Sequence, residues 1–182
     1  MSARQHLLNP ASGVTSGIGF YLAGMDEVRE QLRAAVSNMS TQDIARCAVP
    51  GAHSIGALVL HIGEAEWFWM QCVVPGHRLT DEDRANPFWD VLKDPDRVAN
   101  NGYSTEFCLN QVDTIRAETR STLASFKDDD LERIISFEWR DNLHEQSLRW
   151  ILHHLIDHEA QHKGQILMLK RLLGLSNRTI LD

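Results

Sequence analysis

SLRWILHHLIDHEAQHKGQI (residues 147–166) carries Leu148, Ile151, Leu155 and Ile166 at helical spacing, and Leu169 and Leu173 continue the same stripe. The stretch therefore opens a helix predicted over about 146–173, with Gly174 as its C-terminal cap. At ~100° per residue, His162 falls within roughly 20° of Leu155, and His158 lies about 40° further round. Both imidazoles point inward from one side of the helix, one turn apart, so two ring nitrogens can reach a common point. His154 drifts to the rim of the stripe, and His153 points away from the core.

Residues 158–162, HEAQH, satisfy HExxH, the pattern that in zinc peptidases sets two metal-binding histidines and a catalytic glutamate on one helix. A peptidase needs a third ligand downstream, either a histidine continuing HExxHxxGxxH or an acidic residue on a following helix. Here Gly164 comes one position too early, no histidine follows His162, and Asp182 is the one acidic residue left. The chain also offers no evident edge strand to receive a peptide. A di-iron bundle fails similarly: it requires two ExxH motifs on different helices, and only Glu159 to His162 supplies one.

Upstream, three more amphipathic segments appear. Phe20, Val28, Leu32 and Val36 mark a helix over about 16–38, and Ile55, Leu58, Ile62, Ala65 and Trp69 a second over about 53–74. Cys108, Val112, Ile115, Thr119, Leu123 and Phe126 mark a third, capped by Ser104 or Thr105. The acidic run Asp128, Asp129 and Asp130 reads as the solvated turn that ends it. Residues 75–103 form a long connection with Pro87, Pro95 and Gly102, and no segment reads as a strand. The expected fold class is all-α, a four-helix bundle, with a flexible N-terminal leader over residues 1–14 and a single domain over 15–182. The long connection permits a crossover in place of a simple up-and-down path.

In the second helix, His61 lies beside the Leu58 and Ile62 stripe, the one other histidine embedded in an apolar helical face. Taken alone, it reads as a core residue satisfied by one hydrogen bond. His158 with His162 reads differently, because two inward imidazoles one turn apart each need a partner in a low-dielectric core, and one divalent ion satisfies both. Three neutral imidazoles without a fourth protein ligand make an open site, and imidazole ligands suit zinc, nickel or iron. Cys72 shares the face of His61 but lies ~16 Å along the helix, too far for the same ion. Glu159 and Glu64 are candidates to orient a ligand histidine, and Glu66 stands beside them; a solvated or interhelical role is the plainer reading of each.

Composition narrows the function classes. Hydrophobic residues make up 43% and charged residues 24% of 182, ordinary for a globular domain. The formal charge is −7, and no Lys/Arg cluster stands out, which argues against nucleic acid and anionic membrane as partners. Cys47, Cys72 and Cys108 are odd in number and widely separated, so they read as reduced thiols. The first residues lack the apolar core of a signal peptide, and no run approaches the ~20 apolar residues of a membrane span. The expected location is the cytoplasm.

HSIGALVLHIGEAEWFW (residues 53–69), followed by a long interval and then residues 147–166, resembles the DinB-like superfamily of metal-binding four-helix bundles. The carrying motifs are SIGxLxxH and HxxxHxGQ, and the resemblance runs from about residue 16 to near the end of the chain. It implies that His61, His158 and His162 bind one divalent ion, commonly nickel or zinc, that expression is stress-linked, and that the chain forms a homodimer. Relatives include thiol S-transferases using bacillithiol or mycothiol. By resemblance, the expected activity is a metal-dependent transferase that activates a low-molecular-weight thiol for attack on an electrophile. A metal-dependent hydrolase and a non-catalytic, stress-linked metal-binding protein are the alternatives.

Overall fold

The computed structural model describes residues 7–139 and 141–175, and over these the four amphipathic segments form the long helices of a bundle. They are α1 (Ser16–Val36), α3 (Ile55–Trp67, continued by a π-helical stretch Phe68–Val73), α6 (Thr105–Leu123) and α7 (Leu148–Leu172). Short helices fill the connections: α2 (Thr41–Ala45), α4 (Asp81–Arg84) and α5 (Arg97–Asn100), with 3₁₀ turns at Val91–Lys93 and Asp128–Glu132.

Local chemistry accounts for the helix ends. Ser54, Ser104 and Ser147 cap α3, α6 and α7, each accepting from a backbone N–H three residues on. Gly174, at φ 71°, takes the left-handed position after α7, as its role as a C-terminal cap requires.

Pairing across the bundle follows from side-chain contacts. Arg33 meets Asp113 and Arg120 meets Asp26, so α1 and α6 run antiparallel. Gly24 faces Ile156 and the Lys170 ammonium donates to the Ala35 carbonyl, so α1 and α7 run parallel. Glu66 meets Arg116 and Gln71 meets Thr122, so α3 and α6 are also parallel neighbours. The consecutive helices α1 and α3 therefore sit across a diagonal, and residues 74–104 cross the length of the bundle to return α6 beside α3. The long connection does serve a crossover.

The SIGxLxxH segment now has a steric reading. Ile55 and Leu58 enter the core, at 0% and 4% exposure, while Gly56 lets α2 and α5 approach. A Cβ at Gly56 would lie 2.9 Å from a Val98 methyl and 3.2 Å from the Ile44 carbonyl oxygen. Gly63 plays the same part toward α6, where a Cβ would sit 3.0 Å from both Val112 and Ile115.

Two sequence expectations need correction. A two-stranded antiparallel hairpin, β1 (Ile134–Trp139) and β2 (Asn142–Ser147), precedes α7, with Ile134 opposite Ser147 and Trp139 opposite Asn142. It has no period to detect because β2, NLHEQS, is polar at all but one position, while among residues 134–138 of β1 only Ile135 is fully buried. The absence of an edge strand therefore no longer argues against a peptidase, and the ligand geometry must do so. The acidic run is not simply solvated: Asp128 accepts from the backbone N–H groups of Gly17 (3.0 Å) and Ile18 (3.1 Å) and from the Thr15 hydroxyl, fastening the N-terminus of α1. The Thr15 bond, followed by the bond from Gly17, holds its carboxyl below the usual carboxylate range. Within the leader, residues 1–6 lie outside the described residues, but Ala11 donates to the Gly19 carbonyl (2.9 Å) and packs with Val14 on the core. The expected end of the domain, residues 176–182, also lies outside the described residues, Asp182 included.

Candidate metal centre

Two antiparallel helices build the centre. His61 projects from α3 toward α7, where His158 and His162 sit one turn apart. The ring centroid of His61 lies 5.1 Å from that of His158 and 5.0 Å from that of His162, and the α7 pair are 4.4 Å apart. One ring nitrogen from each of the three lies within 4.8 Å of the other two, and among the described residues no other His, Cys, Asp or Glu group gathers this way. All three side chains are half-buried. The third partner thus comes from nearly a hundred residues upstream, which removes the peptidase arrangement in geometric terms.

Hydrogen bonds assign the tautomers. Nδ1 of His61 lies 2.8 Å from Oε2 of Glu64, an acceptor-only carboxylate, so Nδ1 carries the proton and Nε2 presents a lone pair. Nδ1 of His162 likewise donates to the Gln165 amide oxygen at 2.9 Å, leaving its Nε2 bare. That Nε2 lies 3.1 Å from Nε2 of His158. Two imidazole nitrogens bound to one zinc-like ion at ~2.0–2.1 Å in tetrahedral geometry stand about 3.3 Å apart, so the spacing fits a shared cation.

Electrostatics favours the same state. Burial, followed by the mutual repulsion of His162, His61 and His154, pushes the His158 pKa down to about 3. Burial also lowers His162, against the raising effect of Gln165, with His61 and His53 adding to the depression. Neutral imidazoles at neutral pH are the protonation state a metal requires.

Glu64 does more than hold His61. Its second oxygen accepts from the Asp90 backbone N–H at 2.7 Å, and Asp90 is one of two described non-glycine residues in the left-handed region, at φ 53°. The carboxylate thereby ties the 3₁₀ turn after Trp89 to His61. Glu159 is placed otherwise. It is 2% exposed and turned into the bundle, where it accepts from Arg29 (Nε, 2.6 Å; Nη2, 3.2 Å) and Arg116 (3.2 Å). Glu66, equally buried, accepts from the same two guanidiniums at 2.7–2.9 Å. Burial alone would raise Glu66, but Arg116 and then Arg29 outweigh it and hold the carboxyl below its usual value. The interhelical reading of Glu159 therefore describes its contacts, and none of those contacts is with a histidine.

Some participants escaped the sequence. Arg29 and Arg116 interrupt apolar stripes, and a periodicity search discards such residues. Gln165 was visible as the last letter of HxxxHxGQ, while Gly164 has open space around it and nothing in the structure explains it. His153 is exposed and His154 half-buried against Trp69 and Trp150, as their helical projections require. Cys72 takes no part; burial, followed by Asp83, pushes its thiol up to about 12.

The sequence pattern of the mycothiol-S-transferase family matches residues 22–173, spanning all four long helices and the three histidines. The chain belongs to this family. This mycothiol-S-transferase family member is 27% identical over 154 residues to YizA of Bacillus subtilis (strain 168), covering 82% of this chain and 84% of YizA. Its fold is shared with a conserved protein from Enterococcus faecalis (TM-score 0.64, 16% identity, covering 85% of this chain and 95% of that one). It is shared too with YfiT from Bacillus subtilis, described as a probable metal-dependent hydrolase with an unusual four-helix bundle topology (TM-score 0.57, 14% identity, covering 97% and 95%). The DinB-like resemblance is thus supported by family and by fold. No described helix is long and apolar enough to cross a membrane.

Proposed function

We propose that this family member is a metal-dependent thiol S-transferase, with His61, His158 and His162 holding one divalent ion of the zinc, nickel or iron kind. The observation that carries the reading is that one ring nitrogen from each of His61, His158 and His162 gathers within 4.8 Å of the others, while Glu64 and Gln165 occupy the Nδ1 atoms of His61 and His162. A divalent ion held by these three residues would supply Lewis acidity that lowers the pKa of a nearby thiol. The residues supply the rest. Three neutral ligands leave the net charge of the ion uncompensated, which favours an anionic fourth partner, and Glu64 holds His61 in one tautomer and one orientation. Loss of the thiol proton to solvent leaves an electron pair on sulfur; that pair forms the S–C bond to the electrophile, and the pair of the broken bond departs with the leaving group.

The experiment is optical. In tag-free protein substituted with cobalt(II), bacillithiol or mycothiol should produce a sulfur-to-metal charge-transfer band, and a His61→Ala variant should not. Silence toward every thiol, alongside turnover of an ester or amide, would replace transfer by hydrolysis.

A further inference from the structure

A groove of about 710 Å³ opens where the π-helical end of α3 meets the hairpin. Its lining includes the apolar Phe68, Phe137 and Leu143 together with Arg78, Arg84 and Ser136. We propose that this groove selects a carboxylate-bearing low-molecular-weight thiol, binding its carboxylate end while its sulfur lies at the three-histidine centre, an inference that rests on the thiol-transfer reading.

Three observations lead there. The first is unspent positive charge. Arg29, Arg33, Arg46, Arg97, Arg116, Arg120 and Arg149 each face a carboxylate within 4.0 Å, whereas among the described residues Arg78, Arg84, Arg133 and Arg171 face none, and of these four Arg78 and Arg84 line this groove. In a chain of net charge −7, two guanidiniums lining one cavity without an acidic partner mark a place where an anion is favoured. Among the described residues Glu138 is the acidic lining residue without a cationic partner, while His77, also in the lining, is already bonded to Asp83 at 2.8 Å. The unpaired charge of the lining is therefore positive.

The second is order. Arg84 lies over the ring of Trp89, 5.9 Å from its centroid, and Trp89 is 7% exposed and packs on Phe68. The guanidinium is held on a fixed aromatic platform. That platform precedes Asp90, whose N–H is bonded to Glu64, so groove and centre share one support.

The third is continuity. Phe137 of the groove contacts Trp69 at 5.2 Å, Trp69 contacts His154 at 5.6 Å, and His154 contacts His158 at 5.8 Å between centroids. Phe68 follows His61 by two helical turns, about 10 Å along α3. A thiol whose sulfur sits at the histidines can lay its body along these rings toward Phe68 and Phe137 of the groove lining. Cys72 in the lining stays a neutral, buried thiol and does not compete.

The test is calorimetric titration of zinc-loaded protein with glutathione, S-methylglutathione and glutathione diethyl ester. Both acids should bind, and their affinity should fall at least tenfold in the Arg78→Ala/Arg84→Ala double variant. The ester should bind at least tenfold more weakly than glutathione and ignore the substitution. Arg171→Ala, an exposed arginine at the far end of α7, should leave all three unchanged, and zinc content should be the same throughout. Equal binding of acid and ester, indifference to the double substitution, or no binding of any probe overturns the proposal. S-methylglutathione separates the two readings: its arginine-dependent binding without any thiol effect on the cobalt spectrum retains the groove and removes thiol activation, and the reverse pattern removes the groove alone.

Discussion

Replacing Glu159 by Gln changes one carboxylate oxygen to an amide nitrogen in a cluster that has no slack. Arg29, Glu66, Arg116 and Glu159 are 4%, 2%, 6% and 2% exposed, and their charges cancel as two positive against two negative. Arg29 and Arg116 direct three N–H bonds at Glu159, at 2.6, 3.2 and 3.2 Å. After substitution, one buried positive charge lacks its counter-charge and the amide NH₂ confronts guanidinium donors. Breaking a buried pair in this way costs about 3–5 kcal/mol. For a chain of this size each kcal/mol moves the melting temperature by roughly 2–4 °C, so Tm should fall by about 6–20 °C. Urea denaturation and calorimetry measure the loss, and metal content of the folded variant should stay near that of wild type because Glu159 touches no ligand. A Glu159→Gln protein with less than about 1 kcal/mol of destabilisation, or one that melts normally but has lost its metal, would refute the assignment. The first result would mean the ion cluster is not the partner of Glu159; the second would return it to the histidines.

Three further outcomes follow from the geometry. Glu64→Gln should weaken metal affinity about 10–100-fold with little loss of stability, measured by competition with a chromophoric chelator, because an amide no longer fixes the His61 tautomer. Metal-free protein should lose stability on acidification below about pH 6.5, by up to ~1.4 kcal/mol per pH unit from His158. The unfolded histidine takes its proton at about 6.5, while the folded one resists until about 3. The lowered Glu66 adds to the loss below about pH 4.3. Urea midpoints that stay flat from pH 7 to 5 would contradict this. Gly56→Val should cost about 1–3 kcal/mol by overpacking, since its side chain would meet Val98 and the Ile44 carbonyl; a neutral effect in thermal melts would show that α2 and α5 can yield.

The bundle was legible because each long helix buries one stripe, and a 3.6-residue period survives even where a π-helical stretch interrupts it, as at Phe68–Val73. Boundaries held to within about two residues where a serine cap was present. The hairpin was not legible, since a strand such as NLHEQS, packed on one side only and rich in polar residues, has no period to detect. The three histidines could be grouped because their faces are fixed by helical geometry, whereas their tautomers depend on Glu64 and Gln165, whose directions only the folded chain reveals. Glu159 shows the limit most plainly. Its motif neighbours suggested chemistry, its helical projection left its role open, and the partners that explain it, Arg29 and Arg116, lie on helices 130 and 43 residues away in sequence.

On the proposed function, three imidazoles hold one ion and leave a position for sulfur. X-ray absorption spectroscopy of tag-free, zinc-loaded protein, recorded without and with saturating low-molecular-weight thiol, tests it directly. Three imidazole nitrogens at about 2.0–2.1 Å and no sulfur are expected before addition, then one sulfur at about 2.3 Å after it. A first shell with fewer than three imidazoles, or one that thiol leaves unchanged, would contradict it.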